Sequence, residues 1–384
     1  MPPTSQVLSQ PELNRATLAR QGLLGGLEHR SLGALVHRIG SIQAQHPDWP
    51  ALALHTRRRP DRPPPDLVAA RRRRSVVRAS LMRMTVHIVA ADDLWPMSTL
   101  SLPIRQRQWR LLFKEDPQTS RLGRQIDTAH GAVLAAMREQ PRGISEIEAI
   151  LASELNGLRL PNRGLWRHFS GAVQLVHAPI DDERYGRQRY VAAADVLGPP
   201  DDDASDWDRA AAHLAEVYLA AFGPASVDDL LAYIGRYGSV SRWRAALQTL
   251  GDRLVRFSDE DGRELVDLAD APRPAPDTPV PPRLLARWDS VLLAFGTRHR
   301  RRILPPEHQS TVITKNADVL PTFLLDGMVA GTWLPRRRAD GSVHAELRPF
   351  GRLSSTDRDA LEAEAARLLP SLAQGVYARY PGTD

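Results

Sequence analysis

The sequence predicts an α+β fold made of three tandem winged-helix units followed by a C-terminal β-rich, barrel-like unit. Three observations carry that prediction. Near the N-terminus, helical apolar spacing repeats in successive segments and then gives way to alternating β-branched residues, a helix, helix, helix, hairpin order. The same order recurs twice further along the chain. A Pro-rich linker, PRPAPDTPVPPR at 272–283, then separates a last unit whose apolar runs are short and strand-like. The units are drawn at 1–115, 116–200, 201–272 and 281–384.

Ser9 is a candidate N-cap for a helix over 11–24, with Pro11 in the first turn. Ser31 opens a second helix, in which Leu32, Leu35, Val36 and Ile39 recur at helical spacing and which ends near Gly40. The two prolines of QAQHPDWP at 43–50 place that octet in a loop. Asp66 caps a short helix from Leu67 to Arg74, and SVVRASLMRMTVHIVAADD reads as two strands broken near Arg83. In the second unit, 124–139 reads as a helix, Ser145 starts another with Glu148 at capping-box spacing, and the segment from Leu165 ends in a helix and a hairpin. The third unit has helices from Asp206 and Ser226, then LVRF and ELVDL flanking an Asp-Gly turn, a strong hairpin signal. In the last unit VLLAFG, TVIT, PTFLLDGMVAGTWLP and VHAELRPF are strand-like, with Asp-Gly turns at 326–327 and 340–341 and an amphipathic helix closing the chain.

The 384 residues are 42% hydrophobic and 25% charged, enough to bury more than one core. No run approaches the length of a membrane span, and the N-terminus lacks the basic and apolar regions of a secretion signal, so a cytoplasmic, nucleoid-associated protein is expected. Cysteine is absent, which excludes disulfides, thiolate nucleophiles and cysteine-ligated metals. Only Lys114 and Lys315 supply lysine, leaving few candidates for Schiff-base chemistry. No H-E-x-x-H, Walker loop, G-x-G-x-x-G or G-x-S-x-G occurs, and His168, His177 and His213 stand alone in sequence; no metal and no cofactor is expected. The net charge is +6, but its distribution says more: residues 1–80 carry 13 Arg against 5 acids, whereas 181–270 carry 10 Arg against 19 acids. A basic surface therefore belongs to particular segments.

Gln43-Ala44-Gln45 stands out within the proline-closed loop. In extended backbone, residues i and i+2 project to one side, so both amides can converge on one small target. A solvated surface pair is the plain alternative.

The segments LNRATLARQGLL, IGSIQAQHPDWPALALHTR, RASLMRMTVHIVAADD, RWDSVLLAFGTRHRRRILP and ITKNADVLPTFLLDGMVAGTW together resemble the AlkZ-like and YcaQ-like winged-helix DNA glycosylases, over nearly the whole chain. The resemblance implies three winged-helix units and a β-rich unit forming a basic concave surface. It also implies that a Gln-hydrophobic-Gln or Gln-hydrophobic-Asp triplet is catalytic, and that triplet falls on Gln43 and Gln45. The Gln-Gln form is similar to the AlkZ branch.

The chemistry suits two neutral amides. Alkylation at N7 leaves a purine positively charged, so cleavage of its bond to C1′ releases a neutral base and needs no general acid. Holding a water and turning carbonyl dipoles toward an oxocarbenium-like sugar is work that glutamine side chains can do. The expected activity is thus a monofunctional, metal-independent glycosylase for N7-alkylated purines that also unhooks interstrand crosslinks, serving genotoxin repair or self-resistance. Its expected partner is double-stranded DNA carrying such lesions, with the protein acting as a monomer. His87 either helps locate substrate or packs, Asp289 either balances charge near the sugar or caps a turn, and Trp49 either stacks on a base or lines the core. Arg57, Arg58, Arg59, Arg71, Arg74, Arg83, Arg298, Arg300 and Arg301 are candidate phosphate contacts, and Arg336 to Arg338 form a basic hairpin that could enter a groove. The rivals are a non-catalytic winged-helix regulator reading the major groove and a damage-binding protein that recognises but does not cut.

Overall fold

The computed structural model describes residues 6–46, 48–179, 188–315, 318–339 and 342–370; the second expected Asp-Gly turn at 340–341 lies outside them. Over these residues it is a mixed α+β protein with three sheets. No helix among the described residues is long and apolar enough to cross a membrane.

The cap residues act as their chemistry dictates. Ser9 forms a capping box with Glu12 at the start of helix Gln10–Arg20. Ser31, Asp66, Asp206 and Ser226 each accept a backbone N–H from the first turn of the helix they precede. The second unit departs from expectation by two residues. Glu146, not Glu148, reaches back to the Gly143 N–H at 2.6 Å, so the helix is Ile144–Glu154. Glu148 instead accepts from the Trp166 backbone.

Two helices accommodate prolines, one of them within the segment expected to be a loop. Trp49–Arg57 starts inside the expected loop, because Pro50 sits in the first turn, where its missing N–H costs nothing. Leu94–Phe113 carries Pro96 near its start and Pro103 inside. The expected strand VLLAFG starts as the short helix Ser290–Leu293, capped by Asp289, and TVIT is split, its first two residues ending the helical turn Gln309–Val312 and Ile313 bridging Val319. At Ser290–Leu293 side-chain capping and burial override the β-propensity of the branched residue.

The sheets join segments far apart in sequence. A five-stranded sheet runs Ile42–Gln43, Val86–Ala90, Val76–Ser80, Leu175–His177, Tyr190–Ala192, so the first two antiparallel pairs share one sheet. The pair Leu254–Asp259 and Glu264–Leu268 gains Gln6–Leu8 as a parallel third strand. A four-stranded antiparallel sheet orders Val343–Pro349, Met328–Arg337, Thr322–Leu325, Arg283–Leu285, the last formed from the end of the Pro-rich linker. The largest core draws on residues from Leu18 to Leu100, from Ala193 to Val266 and from Val280 onward. Residues from Trp109 to Leu175 form a separate, smaller core.

Candidate active site

Ile42–Gln43 is an edge strand of only two residues, held antiparallel to Val86–Ala90 with Gln43 opposite His87. Beyond Gln43 the ladder continues by other means. Ala44 N–H donates to the Val86 carbonyl at 2.6 Å, and the Gln45 side-chain carbonyl accepts from the Val86 N–H at 3.3 Å. On its other side the Ala44 carbonyl accepts two bonds from the Arg78 guanidinium, at 3.2 and 2.9 Å. The backbone between the two glutamines is therefore clamped on both sides. Gln43 is 7% exposed, and among the described residues no hydrogen bond engages its amide group. Gln45 is half-buried with its amide NH2 uncommitted within the same set.

A buried polar network backs this strand. Ser290 donates to the Ser41 carbonyl at 2.6 Å, and the Ser41 hydroxyl meets the Tyr233 hydroxyl at 2.8 Å. Arg83 donates to the Tyr233 carbonyl and lies with its guanidinium 5.5 Å from the Tyr233 ring centre. It also donates to His87 Nε2 at 3.3 Å. His87 Nδ1 donates to the Thr85 carbonyl at 2.9 Å, which fixes the tautomer and leaves Nε2 as the acceptor. Burial, reinforced by the Arg83 charge, drives His87 down to about 3, so it is neutral and fully bonded at pH 7. The packing alternative thus holds for His87, although the fold does bring it beside Gln43.

Asp289 is also an internal group. It makes a bidentate pair with Arg57, at 2.6 and 3.0 Å, while accepting the Val291 N–H. Arg57 is 1% exposed and donates further to Gln21 and to the Ala53 carbonyl, so the phosphate contact expected of it is withdrawn. Trp49 is buried edge-to-face against Trp333 at 5.7 Å, a core position rather than a stacking platform.

Within the loop, His46 Nδ1 accepts from the Asp48 N–H at 3.4 Å. Burial, with Arg287 and Arg78 nearby, lowers His46 to about 4, and burial raises Asp48 to about 6. Ionised imidazoles are thereby absent from both sides of the glutamine pair at neutral pH.

The other candidate arginines divide. Arg71 is buried on the carbonyls of His177 and Ala178, and Arg83 and Arg300 are spent on internal carbonyls, which overturns the phosphate role for these three in the structure as it stands. Arg58 is half-buried and donates to the Pro63 carbonyl. Arg59 pairs with Glu28 and Asp61, and Arg301 with Asp261. Arg74 and Arg298 are exposed. In the basic hairpin, Arg336 pairs with Glu346 at 2.5 Å and Arg337 and Arg338 are exposed.

Arg78, Ser41, Tyr233 and Ser290 escaped the sequence reading. A visible signal existed for one of them: Arg78 is a charge in the middle of Val-Val-Arg-Ala-Ser, a strand buried on both faces, and a buried charge needs a dedicated acceptor.

The sequence pattern described as "DNA glycosylase AlkZ-like" matches residues 36–370. A curated relative, the interstrand DNA cross-link repair glycosylase of Streptomyces sahachiroi, is 31% identical over 140 residues, spanning 34% of this chain and 37% of the relative's length. The solved structure of the Streptomyces sahachiroi DNA glycosylase AlkZ superposes with a TM-score of 0.75 at 21% identity, covering 95% of this chain and 97% of that one. At that identity the superposition speaks to fold.

Proposed function

The chain belongs to the AlkZ-like family of DNA glycosylases, and from that premise we propose that it is a monofunctional, metal-independent glycosylase hydrolysing the N-glycosidic bond of N7-alkylated purines. The observation that carries this reading is the clamped Gln43-Ala44-Gln45 backbone, which presents two neutral amides with donor and acceptor capacity to spare. Gln43 and Gln45 hold the attacking water and direct carbonyl dipoles at the developing positive charge on the sugar. The electron pair of the C1′–N9 bond leaves with the base, quenching the positive charge that alkylation placed on the purine. Water adds at C1′ and loses its proton to solvent.

On this reading the three groups of helices and antiparallel strands are winged-helix units, and their exposed arginines contribute to a basic concave surface that holds the phosphates of a damaged duplex. Arg74, Arg298 and the hairpin tip at Arg337 and Arg338 are the best-placed contacts. Interstrand crosslinks are included among the substrates because the curated relative carries that activity in its name. A crosslinked base cannot leave the stack freely, so a site on a sheet edge suits it better than a deep pocket.

The test is release of free 7-methylguanine from a methylated duplex in EDTA by the wild-type protein, Gln45→Ala and Gln43→Ala/Gln45→Ala, followed by a nitrogen-mustard crosslink. Release by wild type and loss in the double variant are expected. Sequence-selective binding to undamaged DNA without release from either substrate would identify a regulator instead, and lesion-selective binding without release a damage-binding protein.

A further inference from the structure

The smaller core holds a cluster that the glycosylase chemistry does not use. Asp127 is the last residue of helix Arg121–Asp127, His130 the first of His130–Glu139, and His168 lies inside Gly164–Ala172. One donor atom from each falls within 4.8 Å of the other two. We propose that Asp127, His130 and His168 form a binding site for a zinc-class divalent cation that ties these three helices together.

The hydrogen bonding of His168 is the strongest argument. Its Nε2 lies 2.9 Å from the Pro117 carbonyl, which can only accept, so the proton resides on Nε2 and Nδ1 keeps its lone pair. That Nδ1 is fully buried with no hydrogen-bond partner, and the His168 side chain is 1% exposed. It stands 3.9 Å from Asp127 Oδ1, and His130 Nδ1 stands 3.5 Å from the same oxygen. A buried lone pair facing a carboxylate oxygen is unfavourable unless something positive sits between them.

Chemistry and geometry agree on the class of ion. Two imidazoles with one carboxylate suit Zn2+, Co2+ or Ni2+ rather than Mg2+ or Ca2+, which prefer oxygen. Bonds of about 2.0–2.1 Å set donor separations of about 3.4 Å in a tetrahedral site. The two measured separations need to shorten by a few tenths of an ångström at most. The Pro117 carbonyl already provides the outer-shell acceptor that orients a metal-bound histidine. Trp109 packs edge-on to the His168 ring at 5.0 Å and holds it in place. A cavity of about 180 Å³ borders Asp127 and His168 on one side of the cluster.

The experiment titrates Co2+ and Zn2+ into the tag-free, EDTA-stripped full-length chain. One equivalent of Co2+ with a tetrahedral d–d absorption band is expected, together with a rise in Tm with Zn2+ but not with Mg2+. The band disappears in His168→Ala. In Asp127→Asn, whose side chain is 44% exposed and whose change leaves packing intact, affinity falls by about tenfold or more. Absence of the band, or wild-type affinity in Asp127→Asn, overturns the proposal and leaves a buried histidine pair. Base release in EDTA is a separate readout, since the cation is not part of that chemistry.

Discussion

Two hairpins, each with an added edge strand, differ in how their turns are made and, on the proposed function, in what they do. The first pairs Val76–Ser80 with Val86–Ala90 and carries Ile42–Gln43 on its edge. The other pairs Leu254–Asp259 with Glu264–Leu268 and carries Gln6–Leu8. The second of these turns is solved locally. Gly262 takes the left-handed conformation at φ 74°, and the Asp259 carboxylate accepts the N–H groups of Asp261 and Arg263. The first turn puts Arg83 and Met84, both with side chains, at φ 52° and 59°. Each such residue costs about 1–2 kcal/mol, and the hydrogen bonds of Arg83 to Tyr233 and His87 help offset it. Where a hairpin only needs to fold, sequence and conformation agree. Beside Gln43 they conflict, and the conflict is held in place by a network that reaches Tyr233 in helix Val227–Ile234.

The largest effect is expected at the edge strand itself. Gln43→Ala/Gln45→Ala should lower base release by at least about 10³-fold, since removing one such oriented group commonly costs about 10²–10³. Thermal unfolding of this variant should show a loss of about 1–3 kcal/mol, because Gln43 is buried and the Gln45 carbonyl accepts the Val86 N–H, so base release is compared per folded molecule. Retention of activity would erase the functional difference between the two hairpins.

Next is the buried pair beneath the other hairpin. Asp267 binds Arg20 at 2.6 and 2.8 Å, with both side chains inaccessible to solvent. Asp267→Ala should destabilise by about 3–5 kcal/mol, because it strands a buried guanidinium. Denaturant titration measures this. Base release per folded molecule, assayed below the lowered Tm, should be unchanged; a drop would show that this hairpin also serves the chemistry.

The contrast explains what the sequence disclosed. Caps such as Ser31, Asp66 and Ser226, and the Asp-Gly hairpin, were legible because their causes lie within a few residues. The strand Ile42–Gln43 was not, since two residues carry no period and its partner is more than forty residues away. Arg57 was misread for a related reason. Next to Arg58 and Arg59 it looks like part of a surface run, and the carboxylate that buries it lies 232 positions along the chain. Gln43 and Gln45 were found as a spacing and through the family resemblance. The Arg78 clamp that orients them is a tertiary fact, as is the meeting of Asp127 and His130 with His168.

Acidification should separate the two hairpins. His87 has a folded pKa of about 3, below its ordinary 6.5, so the folded state binds fewer protons and stability rises with pH. Its contribution is complete above 6.5 and is lost progressively as pH falls toward 3. At pH 5 the loss is about 2 kcal/mol, from 1.5 units at about 1.4 kcal/mol each. In the other hairpin's surroundings, Asp229 is held below the ordinary carboxylate range by His299 and Arg302, against the effect of burial, so its contribution is lost only at lower pH. Hydrogen exchange, corrected for intrinsic rate, should show 86–90 losing protection between pH 7 and 5 relative to 254–268. Equal protection losses would remove the imidazole as the cause.

The smallest effect is the most discriminating. Gly262→Ala places a Cβ at a left-handed position with open space around it, so it should cost about 1 kcal/mol and leave base release untouched. Arg83→Gly is the reciprocal change. It relieves about 1 kcal/mol of backbone strain but removes the hydrogen bonds to the Tyr233 carbonyl and His87, worth about 1 kcal/mol each, so net stability should fall only slightly. Base release should fall with it, because His87, directly opposite Gln43, loses the group that fixes its ring. Comparing kcat for the two variants at matched stability isolates the role of the strained turn. Full activity in Arg83→Gly would mean that the strain belongs to folding alone and that the edge strand is positioned by Arg78 without help from the turn.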